Sequence, residues 1–526
     1  MQRTSFIACG TLLAGALVAL TGNAAQADTV RYEAGEPPAV CSGTIDSDHG
    51  GYSGRGFCNG DNEVGAYAQF TVNAPAAGTA TLRVRFANGT GTARPADVTV
   101  NGSATGSASF ESTGSWDTWA TKTLTVPVHA GGNTVRFTPT TANGLPNIDY
   151  IDAETDGGDT QPPGGDVLYV APNGSDGASG TQSDPTTLTS AIGRIAPGGT
   201  IYMRGGTYRY SQTITIPQGS GGTSGARTRL SAYPGETPVL NFSAMSEDSA
   251  NRGLAVNGSY WHVYGIVVEH AGDNGIFVSG SNNVIERAVT RFNRDTGLQL
   301  SRRSSDTPQS QWPSNNLILS SESHDNADSD GEDADGFAAK LTSGPGNVFR
   351  YDVSHNNIDD GWDLYTKDET GPIGAVTIED SLSFGNGTLS NGGQAGNGDR
   401  NGYKLGGEDI PVDHVVRRSF AVGNGHHGFT YNRNPGSMTI SDNVSIDNEE
   451  RNFSFDAGSS VFRNNTSCRF DGDGSNDKTA GNADGSNQFW TGSNGSRCGS
   501  YAGSLGWYFA SDGHLVVTFG GRTATP

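Results

Sequence analysis

Two hydrophobic periods divide the chain. Between residues 28 and 154, apolar and polar side chains alternate in short runs set apart by turn residues: Ala66–Val72, Thr81–Phe86, Ala96–Val100 and Thr134–Phe137. Period-two alternation at this spacing predicts the strands of a β-sandwich. From about residue 280 the pattern changes. Apolar strand starts fall at Val284, Leu317, Val348, Val376, Val415, Met438 and Val461, at intervals of 33, 31, 28, 39, 23 and 23 residues. A minimal unit of 23 residues with insertions of varying length is what coils with extruded loops produce. An Asn lies nine or ten residues after six of these starts: Asn293, Asn326, Asn357, Asn386, Asn424 and Asn448. Stacked amides can satisfy one another and the turn backbone, so this column predicts a ladder. Next comes Gly or Asn plus an apolar residue: Gly297-Leu298, Gly336-Phe337, Gly361-Trp362, Gly402-Tyr403, Gly428-Phe429 and Asn452-Phe453. That apolar residue and the one two further on (Leu300, Ala339, Leu364, Leu405, Tyr431, Phe455) point inward, and the residue between them points out. The predicted fold is all-β: a right-handed parallel β-helix preceded by a β-sandwich. A sandwich or propeller alone does not yield a 23-residue unit with an Asn column.

The flanking segments complete the plan. Residues 155–166 have no apolar side chain beyond proline and read as a linker. Val167–Val170, the amphipathic segment Thr187–Ile195 and the restart at Pro197–Tyr202 suit the N-terminal cap that a solenoid needs to seal its core. The helix is expected over 167–470, with 471–526 as a C-terminal cap or extension. Met1 to Ala27 read as a secretory signal, with Arg3 as its positive end, an apolar run Phe6–Leu20 and an Ala25-Gln26-Ala27 cleavage site. The run is short for a membrane span and no second one follows. The chain is therefore read as secreted and extracellular, with no membrane partner, and as a monomer. Its 77 glycines and apolar fraction of 33% suit short strands and turns. The formal charge of −22 excludes nucleic acid as a partner, since phosphates would be repelled. Cys9 falls in the signal, whereas Cys41/Cys58 and Cys468/Cys498 form local pairs expected as disulfides in an oxidising compartment. Neither pair has the C-x-x-C spacing of a zinc site.

The β-helix register gathers the chemistry. The outward column holds Ala338, Asp363, Lys404 and Thr430 on successive matching turns. The position before the Gly holds Asp335, Asp360, Asn401 and His427, and the one before that holds Asp359, Arg400 and His426 on the last three. Coils stack about 4.8 Å apart, so Asp335, Asp359, Asp360 and Asp363 converge. Carboxylates brought together repel unless a cation gathers them, and four hard oxygen donors favour Ca²⁺ over zinc. Lys340, Arg400 and His427 border the cluster as candidate substrate contacts. Lys340 and Lys367 read as structural lysines, although Lys340 lies near enough to bind a uronate instead, and His426-His427 read equally as substrate contacts or turn fillers.

Asp335 followed 24, 25 and 28 residues later by Asp359, Asp360 and Asp363, together with the run Asn401 to Gly407 (Asn-Gly-Tyr-Lys-Leu-Gly-Gly), resembles the family-nine polysaccharide lyases, over roughly residues 167 to 470. The resemblance implies a calcium-dependent pectate lyase on a parallel β-helix, with the four Asp as calcium ligands and Lys404 as the base. The chemistry is consistent. β-Elimination on 4-linked galacturonan removes a C5 proton α to a carboxylate, and a base must take it as a free amine. In the N-terminal module, Arg31–Ala34, the stretch Trp116 to Trp119, Ala130–Thr134 and Asn147–Ile151 resemble carbohydrate-binding modules of families six and thirty-five. That likeness implies a structural calcium using Glu33 and Asp149, with Gly35 where the family often has a second Glu. It also implies a sugar contact through Asn147 with an aromatic such as Tyr52 or Phe57. Trp116 and Trp119 read as core. The expected partner is pectate or a related acidic plant cell-wall polysaccharide. The rivals are a lyase acting on another uronide such as rhamnogalacturonan, a polygalacturonase-type hydrolase using Asp359-Asp360, and a non-catalytic glycan-binding surface protein. The Gly-His-Gly and Arg-Ile-Lys runs of polygalacturonases are absent.

Overall fold

A computed structural model describes residues 29–74, 78–129, 131–155, 167–394 and 396–526. The expected signal at 1–27 and nearly all of the 155–166 linker lie outside the described residues. The chain separates into two compact units, residues 1–160 and 161–526.

The first unit is a sandwich of a six-stranded and a five-stranded antiparallel sheet. Alternation drives it: along Ala68–Ala74, buried Ala68, Phe70 and Val72 alternate with more exposed Gln69, Thr71 and Asn73. Phe70, Phe86, Phe110 and Phe137 meet edge-on at 5.0–6.4 Å between the sheets. The Cys41–Cys58 disulfide joins one strand of each sheet.

The second unit is a parallel β-helix of three sheets, with twelve, ten and ten strands among the described residues. Leu188–Arg194 forms an α-helix whose Leu188, Ala191 and Ile192 are buried, and Thr187 caps it by accepting from the Ser190 N–H. These side chains belong to the same apolar core as the first coils. The expected Asn ladder is present and buried. Asn293 Nδ2 donates to Asn326 Oδ1 at 2.9 Å, and the chain of amides continues through Asn357, Asn386 and Asn424 to Asn448 at 2.8–3.0 Å per step. Beneath it Phe337, Trp362, Tyr403, Phe429 and Phe453 stack at 4.6–5.1 Å. Gly402 precedes one of these rings because a Cβ there would lie 2.6 Å from Gly428 O and 2.8 Å from Asn424 Nδ2.

Two expected strand starts are one residue out. The register pairs Val348 with Thr377 and Val415 with Thr439, so Val376 and Met438 are inward-facing neighbours of the true equivalents. A one-residue slip exchanges the two faces of a strand, and the buried side chain is the more apolar one that the eye selects. Leu300, Ala339, Leu364, Leu405 and Phe455 are fully buried as expected, whereas Tyr431 is only partly so. The coils run past residue 470, to Lys478–Thr479 and Asn482–Ala483. The chain then turns back as a three-stranded antiparallel sheet spanning Leu505–Ala524, packed on Val353, Leu382, Phe420 and Val444 of the second helix sheet. Cys468–Cys498 ties that return segment to its last strand.

Candidate active site

The third helix sheet carries the site. Its outward column pairs Ala338 with Asp363, Asp363 with Lys404 and Lys404 with Thr430 on neighbouring strands, as the sequence pattern requires. Asp335, Asp359 and Asp360 each place a carboxylate oxygen within 4.8 Å of the other two, and all are at most 1% exposed. Asp363, 3% exposed, joins them through its contacts with the two lysines below.

Local backbone holds these carboxylates against their repulsion. The N–H groups of Asp399 and Arg400 donate to Asp359 Oδ1, and Asn401 donates to Asp360 Oδ1 through both its backbone N–H (2.6 Å) and Nδ2 (2.9 Å). Three successive amides thus cradle the Asp359-Asp360 pair, and Arg400 adopts φ +60° to present its share. Lys340 Nζ lies 2.7 Å from Asp335 Oδ2 and 3.4 Å from Asp363 Oδ2. Lys404 Nζ lies 2.8 Å from Asp399, 3.2 Å from Asp360 Oδ2 and 3.8 Å from Asp363 Oδ2. It also sits 5.2 Å from the centre of the Tyr365 ring.

The charges do not balance. Four buried carboxylates face two ammonium groups, which leaves two negative charges, and Asp399 adds a half-exposed third. Asp363 Oδ1 is buried with no hydrogen-bond partner. So is Asp360 Oδ2, whose 3.2 Å approach to Lys404 is an ion contact outside hydrogen-bonding geometry. Burial, with the neighbouring carboxylates, pushes Asp335 and Asp359 well above the usual carboxylate range and Asp360 to about 6. Burial alone would lower the Lys404 pKa, but Asp363, Asp360, Asp359 and Asp399 outweigh it and hold the ammonium well above its ordinary value. An excess of two negative charges, orphaned oxygens and an all-oxygen donor set fit one hard divalent cation.

The other candidates fall as follows. Lys340 is buried inside the cluster as the partner of Asp335. Arg400 lies at the edge, its guanidinium 3.8 Å from Glu449. His426 and His427 stack at 3.8 Å, with His426 bonded to Glu450 at 2.9 Å. Burial drops His427 to about 4, so it is uncharged at neutral pH. Asp399 and Tyr365 did not emerge from the sequence pattern. Asp399 stands directly before the Arg-Asn-Gly-Tyr-Lys run, and that adjacency was the available signal.

In the sandwich unit, Glu33 and Asp149 both accept from Ser53 Oγ, at 2.8 and 3.3 Å, so the two carboxylates do meet. Asp149 is fully buried and already ion-paired with Arg85. That guanidinium neutralises one of the two expected ligands, and this donor set is weaker for a cation than the one in the helix unit. Asn147 is 4% exposed and Tyr52 half-buried. Phe57 is fully buried, edge-on to Trp119 at 5.4 Å, so it presents no face to a sugar. The reverse holds for Trp116 and Trp119, expected as core but only partly buried, with Trp116 stacked on His49 at 6.2 Å. Alternation marks strand positions well, but these tryptophans sit in the turn-rich stretch between strands, where it gives no facing.

Comparison with known proteins agrees with this architecture. The family model described as "Pel9A-like, right handed beta helix region" matches residues 168–465, and that of the family 6 carbohydrate-binding module matches residues 38–155. Pectate lyase L of Paenibacillus polymyxa (strain SC2) is 56% identical over 325 residues, covering 61% of this chain and 72% of that protein. Pectate lyase L of Thermoclostridium stercorarium is 42% identical over 299 residues, covering 56% of this chain but only 24% of its own length. The crystal structure of pectate lyase Pel9A superposes with a TM-score of 0.56 at 32% identity, covering 66% of this chain and 87% of that one. With the model spanning more than half of its residues, the chain belongs to the Pel9A-like right-handed β-helix family, the family-nine polysaccharide lyases.

Proposed function

We propose that the chain is a secreted, calcium-dependent pectate lyase that cleaves 4-linked galacturonan by β-elimination, with Lys404 as the base. The reading rests above all on one observation: Lys404 Nζ lies within 3.8 Å of Asp360 and Asp363, beside carboxylate oxygens that have no partner. Asp335, Asp359, Asp360 and Asp363 are the residues that would hold Ca²⁺. Bound there, it would offset the carboxylate charge that keeps Lys404 protonated and neutralise the uronate carboxylate, making the C5 proton more acidic.

The remaining chemistry belongs to the chain. Lys404, as the free amine, takes the C5 proton. The electrons of the C5–H bond form a C4=C5 double bond conjugated with the carboxylate, and the C4–O bond breaks. Solvent protonates the departing oxygen, so atoms and charge balance. Asn401 and the amides of 399–400 keep Asp359 and Asp360 in place. Asp399 and Tyr365 fix the position of the Lys404 side chain. Relatives named pectate lyase support the substrate, and the module ahead of the helix would hold the enzyme on cell-wall glycan.

Elimination creates new ultraviolet absorbance, and hydrolysis does not. Turnover on polygalacturonate should show that absorbance, stop in EDTA and return with Ca²⁺. Lys404→Arg keeps the charge but removes a usable base, and should cost roughly 10²–10⁴ in rate while calcium still protects the fold. Near-normal turnover by Lys404→Arg would move the base elsewhere. New absorbance on another uronide only would keep the chemistry and replace the substrate.

A further inference from the structure

On the same outward face, before the carboxylate cluster, lies a cavity of about 320 Å³ bordered by Arg252, Gln299, Arg302, Arg303 and Lys367, with Phe277 at its base. Four cations at one cavity are unexpected in a chain of net charge −22. About half of the arginines of the helix unit are paired with carboxylates, such as Arg291 with Glu269, Arg350 with Glu379 and Arg418 with Asp380. Among the described residues, by contrast, Arg302, Arg303 and Lys367 form no ion pair. Asp306 lies close enough to feel both Arg302 and Arg303, but it is fully exposed. Arg252 rests on the Phe277 ring at 3.4 Å and reaches Asp273 at 3.4 Å, so one guanidinium is fixed in place over an aromatic face.

Position links this cavity to the active site. Phe277, Gln299, Ala338, Asp363 and Lys404 are register partners on five successive strands. At about 4.8 Å per strand, Gln299 lies roughly 14 Å and Phe277 roughly 19 Å up the column from Lys404. A polymer lying along that column would meet both places. One wall is shared: Lys340 pairs with Asp335 in the cluster, while the next two residues, Leu341 and Thr342, line the cavity. Leu341 is partly exposed and held at φ +65°, with its N–H on Tyr365 O at 2.7 Å. Thr342 Oγ1 is tied to Ser301 Oγ at 2.6 Å and accepts from the Arg302 N–H at 3.1 Å, which anchors the arginine-bearing loop to that wall.

We propose that this cavity is a distal, anion-selective subsite of the substrate groove, binding a uronate carboxylate of the same glycan chain that is cleaved at Lys404. The proposal rests on the lyase reading above and extends it. Planar guanidinium groups recognise carboxylates bidentately, and the unpaired arginines offer that geometry to a partner from solution. An occupied site several strands from the scissile bond requires a chain long enough to reach it, so the enzyme would favour long, unesterified substrate.

The test is Arg302→Ala/Arg303→Ala in the full chain, assayed on polygalacturonate and on trigalacturonate. The expected result is a KM for the polymer raised about tenfold or more, as the loss of a charge-assisted contact implies, with kcat unchanged and the trimer unaffected. Arg302→Lys/Arg303→Lys should recover part of the loss. An unchanged polymer KM, or an equal loss on the trimer, would overturn the subsite. Should the wild type show no elimination on any uronide, the lyase reading fails, but calorimetric titration with hexagalacturonate still decides this proposal. Weaker binding by the double variant than by the wild type supports the subsite, and superimposable isotherms overturn it.

Discussion

Lys340→Met tests what the buried lysine does in the cluster. Lys340 is 7% exposed and Asp335 fully buried, and their 2.7 Å contact is supplemented by Asp363 at 3.4 Å. Removing one partner of such a pair costs about 3–5 kcal/mol, because the other charge is left buried and uncompensated. Two features bring the expected value to the low end, about 3 kcal/mol. Asp335 retains its Thr296 hydroxyl at 3.0 Å, and its carboxyl, already raised by burial, can take a proton instead of remaining ionised. Methionine preserves most of the buried volume, so little of the loss comes from a cavity. A divalent cation in the cluster would supply the missing positive charge, and the penalty should therefore shrink by half or more in calcium. The assay is urea unfolding of the full chain, followed by circular dichroism, in EDTA and in excess Ca²⁺. A loss below about 1 kcal/mol in EDTA, or the same loss in both buffers, would refute the view that Lys340 shares the cluster's charge with a cation.

Two other outcomes are expected. His414 is fully buried, accepts the Val376 N–H through Nδ1 and is lowered by burial to about 3. Because the unfolded chain takes up that proton near pH 6.5 and the fold does not, stability falls as pH drops: about 2 kcal/mol between pH 7 and 5 from this residue. His414→Asn keeps an acceptor and removes the titration, so its denaturation midpoint should depend less on pH over that window; equal slopes would exclude His414 as the source. Deleting residues 28–154 should leave activity on soluble substrate nearly intact and lower it on insoluble cell wall, whereas equal loss on both would mean that the two units work as one.

The sequence was most legible where a physical constraint repeats. The Asn ladder, the inward apolar pairs and the Gly before most of the stacked rings recur on successive coils from Asn293 to Asn448, and each repetition supports the register of the last. A second ladder is equally readable: Asn283, Asn316 and Asn347 stand immediately before three of the strand starts, and in the structure Asn316 Nδ2 donates to Asn347 Oδ1 at 3.0 Å. The convergence of Asp335, Asp359, Asp360 and Asp363 follows from that same register. Asp399 and the cations of the basic cavity were not legible from the repeat, because they sit on loops whose lengths it does not control. Arg252, Arg302 and Lys367 are far apart along the chain, and only the winding of the coils brings them together. In the sandwich unit the strands were readable, but the facing of Phe57, Trp116 and Trp119 was not.

The returning C-terminal sheet changes how the helix can come apart. A stack in which each coil touches only its neighbours can fray from an open end, one turn at a time. Here Phe519 meets Phe420 at 6.0 Å, Trp507 meets His355 at 6.0 Å and His514 meets Tyr351 at 4.6 Å, within a core that also holds Val353 and Val444. Ser320 Oγ donates to Gly513 O at 2.6 Å, and Arg287 reaches Ala510 O and Ser511 O. The tail therefore works as a splint laid across the coils that carry Asp335 to Lys404, with its far end fastened by Cys468–Cys498. Peeling the last coil first would mean lifting the splint from all the others, so the turns that bear the reactive groups are coupled into a single cooperative block.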